Sequence, residues 1–353
     1  MGQAWSSRTL VSLGANLGSA RRTVLSAAEA MSDRFGRDAV SFSRLYNTAA
    51  VGGPIGQEDF HNAVAVIHSN ETAYGVWQFL HKTEQALGRH RQKRWEARRI
   101  DLDVLLHETA LVTPSHYSKE IHSQEIVWTP TFKVPHPRMT MRTFVLSPAC
   151  DIAGDWVEPV TGQSLHKLSA RLDRLASNKR LPTILLTCDS NDTVQSLMNS
   201  LRRSEHDLYI EDEQQPRVIR QDQLWILVCM VPRIQSSGAT SDHYHAVSQA
   251  IGVRIAPYQN SLSSAGFDQW MHVCRSPDPS ISHWEDFSRP WADSFGMTNR
   301  QEGQLLLRTF GDLAPLRNTP PYLLAADDFD WAAHELFAAT EAMTCPIQPC
   351  GTI

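Results

Sequence analysis

The stretch Arg94 to Leu106, R-W-E-A-R-R-I-D-L-D-V-L-L, constrains this chain more than any other. From Ile100 on, apolar side chains alternate with Asp101 and Asp103 and run into Val104, Leu105 and Leu106, the period-two pattern of a strand with one apolar face. Both carboxylates therefore point the same way. Like charges fixed side by side on a strand repel, and a hard divalent cation relieves the repulsion. Mg²⁺ takes oxygen ligands, often only one or two carboxylates, and completes its shell with water and phosphate oxygens. Arg89, Arg91, Lys93, Arg94, Arg98 and Arg99 set a positive field just upstream, suited to a polyphosphate that brings its own metal. On these residues alone a second reading stays open, in which both aspartates form the solvated face of an ordinary strand and pair with nearby arginines.

A chain of 353 residues is long enough for two domains, each with ample core. Charge marks the division. Residues 1–179 carry 21 Lys and Arg against 17 Asp and Glu, and residues 180–353 carry 12 against 21, so the halves stand at +4 and −9. Lysine stops at Lys179. The expected organisation is a first domain over 1–169, a linker over 170–181 and an acidic domain over 182–353. Six cysteines without a C-x-x-C pair, and no secretory leader, point to a reducing cytoplasm rather than a disulfide framework. No apolar run approaches the roughly 20 residues that span a bilayer.

In the first half, Thr9 to Leu13 reads as a strand, followed by the turn Gly14-Ala15-Asn16-Leu17-Gly18 and a helix over Ala20 to Phe35 with Val24, Ala27, Ala28 and Met31 on one side. The glycines could cradle phosphate, but no P-loop lysine follows them, and tight-turn geometry is the simpler explanation. Ser41 to Thr48 and Phe60 to Ile67 read as strands, Tyr74 to Leu87 as a helix stopped by Gly88, and the two aspartates lie on a fourth strand. Strand, helix, two strands, helix, strand is a ferredoxin-like α+β order, which leaves one sheet face free for a ligand.

The collinear motifs G-A-N-L-G, Y-N-T-A-A-V-G-G, F-H-N-A-V, E-Q-A-L-G-R, R-W-E-A-R-R-I-D-L-D and V-P-H-P-R-M-T-M-R-T-F-V-L resemble, over about residues 8–168, those of the 6-hydroxymethyl-7,8-dihydropterin pyrophosphokinases of folate biosynthesis. That resemblance implies diphosphate transfer from ATP to a pterin alcohol, with AMP leaving. It implies that Asp101 and Asp103 hold two Mg²⁺ ions, that Arg89 and Arg98 serve catalysis, and that Glu84, Arg91, Trp95, Val104, His136 and Arg142 line the nucleotide side. Phe60 and Phe144 match aromatic positions that sandwich the pterin ring, Asn62 the residue that reads its edge, and Thr48 and Val51 further ring contacts. Without the resemblance, both phenylalanines would read as core and Asn62 as a strand-edge residue. The partners it implies are small molecules, with no nucleic acid and no membrane.

Four features depart from the family pattern. Glu96-Ala97 stands where Gly-Pro is common after the tryptophan, which bears on loop closure. His81 replaces a frequent glutamine, and Pro137 stands where some relatives have an aromatic. An excess of about fifteen residues around Ser115 to Thr131, rich in His, Ser and Trp, reads as an exposed excursion near the site. A catalytically weak pterin- and nucleotide-binding regulatory protein is the alternative function.

The second half alternates apolar strands, at Leu181 to Thr187, Asp207 to Glu211, Leu224 to Val231, Val253 to Pro257 and Tyr322 to Ala325, with helices at Thr193 to Arg203 and Trp331 to Met343. This predicts an open, mostly parallel α/β layer, Rossmann-like or a degenerate nucleotide-kinase-like module. Residues 188–193 contain neither glycine nor lysine, so polyphosphate binding is not expected there. His243, His245 and His283 lack helical ligand spacing, and Asp327, Asp328 and Asp330 fit a helix N-terminus better than a metal site. A protein partner or self-association is the role expected of this half.

Overall fold

The computed structural model describes residues 5–54, 56–89, 97–111, 121–124, 127–128, 133–159, 161–177, 182–188, 191–204, 209–211, 217–221, 224–230, 267–275, 319–326 and 328–353. The chain splits into two compact units, Met1–Pro159 with Gln163–Asp173 and Cys345–Ile353, and Val160–Gly162 with Arg174–Thr344. Both mix α and β. Two boundaries differ from the charge-based expectation. A helix, Leu165–Ser177, occupies most of the stretch read as linker, its buried Leu165, Leu168, Leu172 and Leu175 interleaved with the charges that suggested a tether. The last nine residues belong with the first unit.

The first unit contains β1 (Ser7–Ala15), α1 (Ala20–Phe35), β2 (Val40–Phe42), β3 (Arg44–Thr48), β4 (Phe60–Ser69), α2 (Ala73–Ala86), β5 (Asp101–Leu111), β6 (Ile121–Gln124), β7 (Val127–Trp128), β8 (Lys133–Val134), α3 (Thr143–Ala153), β9 (Val157–Glu158) and β10 (Gln163–Ser164). Helix Leu165–Ser177 is α4. The single strand read over Ser41 to Thr48 is two, interrupted at Ser43, whose hydroxyl accepts from the Val64 N–H at 2.9 Å and whose own N–H donates to Val64 O at 2.9 Å. Part of the excursion forms strands, β6 pairing antiparallel with β5 from Glu108↔Gln124 to Leu111↔Ile121 and β7 pairing with β8.

The sheet runs β3-β4-β1-β5-β6, with the C-terminal strand Ile347–Thr352 outside β3 and β2 pairing β4. Every pairing in it is antiparallel. On one face Val11, Leu13 and Ala15 of β1, Ala63, Ala65 and Ile67 of β4 and Leu102 and Val104 of β5 meet Val24, Ala27, Ala28 and Met31 of α1 and Val76 and Leu80 of α2. All of these are essentially sealed from water, and burying each aliphatic side chain contributes about 1.5–3 kcal/mol. Helix α2 begins at Thr72, whose hydroxyl accepts from the Gly75 N–H at 3.1 Å, and gives way to Gly88 at φ 83°, a left-handed residue that lets the chain turn. On the opposite face α3 packs across β4, β3 and β1, and Asp151 accepts hydrogen bonds from Tyr46 Oη (2.9 Å) and Arg44 Nη2 (2.7 Å).

In the second unit β11 (Thr183–Cys188), α5 (Asn191–Arg203), β12 (Tyr209–Glu211), β13 (Arg217–Gln221), β14 (Leu224–Met230), β15 (Gln269–Arg275), β16 (Pro321–Ala326) and α6 (Phe329–Thr344) build a sheet of order β12-β13-β14-β11-β15-β16. Strands β14, β11, β15 and β16 are parallel, and β12 and β13 run antiparallel at one edge. Asp328 caps α6, its Oδ1 accepting from Asp330 N (3.0 Å) and Trp331 N (3.1 Å), as the acidic run before that helix suggested. The expected strand at 253–257, together with His243, His245, His283 and Asp327, lies outside the described residues. No described helix is long and apolar enough to cross a membrane. The C-terminal strand Ile347–Thr352 is β17.

One buried titratable group in the first unit ties stability to pH. His107 on β5 is 2% exposed, with Nδ1 2.9 Å from Thr9 Oγ1, and burial pushes its pKa down to about 4. An unfolded chain protonates the same ring near pH 6.5, so the unfolded state binds the extra proton between pH 6.5 and 4 and stability falls as pH falls through that window. The expected loss is about 3 kcal/mol at most. Urea unfolding of the wild type and His107→Gln at pH 7 and pH 4.5 checks this, with the stability gap between them narrowing at the lower pH. A gap that stays constant would show that the ring is already charged in the fold.

Candidate active site

Cross-strand register decides which side chains meet. Asp101 stands opposite Gly14 and Asp103 opposite Ser12 of β1, while Gly14 stands opposite Asn62 of β4, and Phe60 opposite Thr48 of β3. Residues in register share a face, so all of these lie on the side of the sheet away from α1 and α2. The Asn62 side chain is buried and donates from Nδ2 to Thr48 Oγ1 at 2.8 Å. A Cβ placed on Gly14 would come within 2.9 Å of Asn62 Oδ1. Only a glycine leaves that amide where it is. Val51 follows β3, half-buried, and Phe144 is half-buried at the start of α3, its ring centroid 5.6 Å from the Arg142 guanidinium carbon.

The charged side of the site is built around Asp101. Arg98 pairs with its Oδ2, and Arg89 lies 2.7 Å from its Oδ1 while also pairing with Glu84. Burial raises the Asp101 carboxyl, but the Arg98, Arg89 and Arg142 guanidiniums outweigh it and hold the pKa at about 2. Asp103 goes the other way, pushed up by burial and then by the charge of Asp101. Glu84 is 2% exposed on α2, its Oε1 accepting from the Leu102 N–H at 2.8 Å, and burial pushes it up to about 7 against the pull of Arg89 and that N–H. His81 Nδ1 lies 3.4 Å from Glu84 Oε2.

A bulge places His136. Between Leu10↔Leu106 and Val11↔Val104 the β1–β5 register shifts, so Leu105 has no partner on β1, and its carbonyl accepts from the His136 N–H at 2.9 Å. The Arg138 N–H donates to His136 Nδ1 at 3.2 Å, which puts the proton of the neutral ring on Nε2, 3.6 Å from Asp103 Oδ2.

Asn16 ties two loops to this floor. Its side chain is 1% exposed; Oδ1 accepts from Arg98 N (2.7 Å), and Nδ2 donates to Gln57 Oε1 and Glu58 O (both 3.1 Å). Asn16 N and Leu17 N donate to Arg98 O at 2.9 and 3.1 Å.

The sequence model of the 7,8-dihydro-6-hydroxymethylpterin-pyrophosphokinase (HPPK) family matches residues 10–154. The 2-amino-4-hydroxy-6-hydroxymethyldihydropteridine pyrophosphokinase of Porphyromonas gingivalis is 35% identical over 156 residues, 42% of this chain and 92% of its own. The enzyme of the same name from Methylorubrum extorquens is 31% identical over 166 residues, 47% of this chain and 94% of its own, and that of Pseudomonas aeruginosa 30% identical over 181 residues, 51% and 91%. The chain belongs to the HPPK family. A solved HPPK-DHPS structure in complex with substrates covers 76% of this chain and 68% of its own at 9% identity, and its TM-score of 0.33 is too low to carry an argument.

In this HPPK-family chain the fold brings Thr48, Phe60, Asn62, Asp101 and Asp103 onto one face and gathers Glu84, Arg89, Arg98, His136 and Arg142 around the two aspartates. Val104 is different. It packs in the core under α1 and α2, on the far side of the sheet from the aspartates, so its side chain does not share their face. Arg91, Trp95 and Glu96 lie outside the described residues. Gly14 and Asn16 were not singled out from sequence, because G-A-N-L-G reads as a turn; β1 instead extends through Ala15 and carries Gly14 into the sheet. Asparagine between two glycines is the only trace of the tether.

Asn16→Ala removes three side-chain hydrogen bonds from a buried position, at an expected cost of about 1–3 kcal/mol. The urea midpoint should fall and trypsin should cut after Arg98 or Arg99 faster than in the wild type. Equal midpoints and equal cleavage would show that these bonds hold nothing in place.

Proposed function

We infer that the chain transfers the terminal diphosphate of ATP to 6-hydroxymethyl-7,8-dihydropterin, giving the pterin diphosphate and AMP, a step of folate biosynthesis. Beside family membership, one observation carries this reading: Gly14 stands in register with both Asn62 and Asp101, so an amide suited to a heterocycle edge and the acid pair lie on the two strands that flank β1, on the same face. In the reaction the pterin hydroxyl oxygen bonds to the β-phosphorus of ATP, the bond from that phosphorus to the α,β-bridging oxygen breaks, and the hydroxyl proton is lost.

Asn62 offers donor and acceptor to the pterin edge, held by Thr48, while Phe60 and Phe144 supply flat faces for the ring and Val51 an apolar side. Arg98, Arg89 and Arg142 bind phosphate oxygens and offset their charge. His136, with its proton on Nε2, donates to the same anion. Glu84 orients Arg89, and the family resemblance assigns Arg91 and Trp95 to the nucleotide side.

The donor set fits Mg²⁺. Asp101 and Asp103 are oxygen ligands on one face, with side chains 19% and 35% exposed, and no group of three or more His, Cys, Asp or Glu suited to a metal occurs among the described residues. Two carboxylates with water and phosphate completing the shell is a usual Mg²⁺ arrangement. Two such ions, held by Asp101 and Asp103, would supply charge neutralisation at the phosphates.

The strand order β5-β1-β4-β3 with two helices on one face supports a ferredoxin-like description of the first unit, and the parallel strands β14, β11, β15 and β16 support a Rossmann-like one for the second. We assign the second unit an accessory role, in self-association or in binding a protein.

AMP release from Mg²⁺-ATP with and without the pterin tests the reading. Wild type should give pterin-dependent AMP, and Asp101→Asn should reduce it at least ~100-fold while remaining folded. Tight pterin and nucleotide binding without AMP would instead identify a binding protein. In the same assay Gly14→Ala, which drives a methyl group into Asn62, should raise KM for the pterin about tenfold and leave KM for ATP within twofold. Equal change in both constants would place Gly14 outside the pterin pocket.

A further inference from the structure

We propose that Cys345 and Ile347 are positioning residues for the pterin pocket, fixing the distance between its Thr48–Val51 wall and its Phe144 wall, so that this segment is part of the transferase. The inference rests on the pterin reading of that pocket.

The contacts converge on Cys345, which is 6% exposed. Its carbonyl accepts from Thr143 Oγ1 at 2.8 Å in a buried hydrogen bond, and Thr143 is the first residue of α3, next to Phe144. Its thiol lies 3.8 Å from the carbonyl of Ala49, the residue after Thr48, and acts as a weak donor. One residue therefore touches the chain beside each wall. Ile347 then pairs with Thr48 itself, the last residue of β3 and the acceptor for Asn62.

Strand β3 needs that support. It pairs with β4 through Tyr46, Asn47 and Thr48 only, and Thr48 is the terminal pair, the place where a ladder frays first. Strand β17 pairs along the whole of β3, from Ile347↔Thr48 to Thr352↔Arg44, and Ile353 beyond it packs against the core of the first unit. The strand is also shaped to end the sheet. Pro349 has no N–H to offer, and a bulge between Pro349 and Gly351, with Gly351 at φ 149°, breaks the ladder. A strand that only covered an edge would have no reason to place a buried carbonyl on the first hydroxyl of α3.

The test uses the full-length wild type, Thr143→Val, Thr143→Ser and Cys345→Ala, with steady-state AMP release and calorimetric titration of 6-hydroxymethyl-7,8-dihydropterin. Thr143→Val should raise both KM and Kd for the pterin about tenfold, with KM for ATP within twofold and a melting temperature lowered by several degrees at most, the cost of leaving one buried carbonyl without its donor. Thr143→Ser, which keeps the hydroxyl, should restore them. Cys345→Ala should move the pterin constants the same way by a smaller factor, and it carries the test if Thr143→Val does not fold. Pterin constants unchanged in the folded variants, or pterin and ATP constants rising together, would overturn the proposal. A wild type that binds the pterin but releases no AMP sinks the transfer reading alone, and the variants' Kd values then still decide this one.

Discussion

A β-strand turns alternate side chains to opposite faces, and the site depends on that parity holding across four strands at once. From β3 to β5, Thr48, Phe60, Asn62, Gly14, Asp101 and Asp103 reach one face only because each strand sits in a single register with its neighbour. A slip of one residue in β5 would turn both carboxylates into the leucine- and alanine-rich core under α1 and α2 and expose Leu102 and Val104. Burying two unpaired carboxylates costs far more than any strand pairing returns, so the core enforces the register that the chemistry uses. The bulge at Leu105 is part of the same device. It lets Leu102 and Val104 face the helices while Leu106, on the far side of the bulge, faces away with its register partner Leu10, and it frees the Leu105 carbonyl for His136.

The charges around this face are anchored by buried polar groups on the scaffold. Glu84, inside α2, reaches both the backbone of β5 at Leu102 and the side chain of Arg89. Asn16, at the end of β1, holds the backbone of Arg98 from both its N–H and its carbonyl sides. The two arginines that pair with Asp101 are thus fixed by residues from different elements, on either side of residues 90–96. Helix-anchored Arg89 and loop-anchored Arg98 meet one carboxylate, which keeps Asp101 ionised while Asp103, with one charge already beside it, binds its proton more readily.

Much of this was legible in the sequence because parity is. The alternation through Ile100 to Val104 places Asp101 and Asp103 on one face, and the helical spacing of Val24, Ala27, Ala28 and Met31 places the core on the other. The break in alternation at Val104-Leu105-Leu106 is the written trace of the bulge, but three consecutive apolar residues also fit a strand buried on both faces, so the pattern alone does not announce it. Gly14 and Asn16 were hidden for a different reason. Their roles arise from what stands across the sheet or across a loop, and a turn-like G-A-N-L-G gives no hint of partners at Asn62, Gln57 or Arg98. Val104 shows the converse. A resemblance carries a position but not its side-chain direction, and the parity that exposes the aspartates buries this valine.

The boundary between the units was the harder problem, because composition measures neighbourhood in sequence and the first unit is discontinuous. Net charge separates residues 1–179 from 180–353, yet residues 345–353 carry no charged side chain and cannot register on that scale. Ile347 to Thr352 also contains a proline and a glycine, which as local signals argue for a loop. Those residues are tolerated in a strand only at a sheet edge or a bulge, and β17 is both. The unit that begins within α4 is therefore topologically an insertion, entered after Asp173 and left before Cys345, with the enclosing unit completed by β17. Such an arrangement makes folding of the first sheet non-local. The β3 edge can be closed only once a segment nearly three hundred residues downstream has been made, a large loop-closure cost that short-range contacts cannot offset in advance. A chain bearing that cost would be expected to place something beside the late-forming contact that benefits from it, and Thr48 and α3's first residue are what the contact touches.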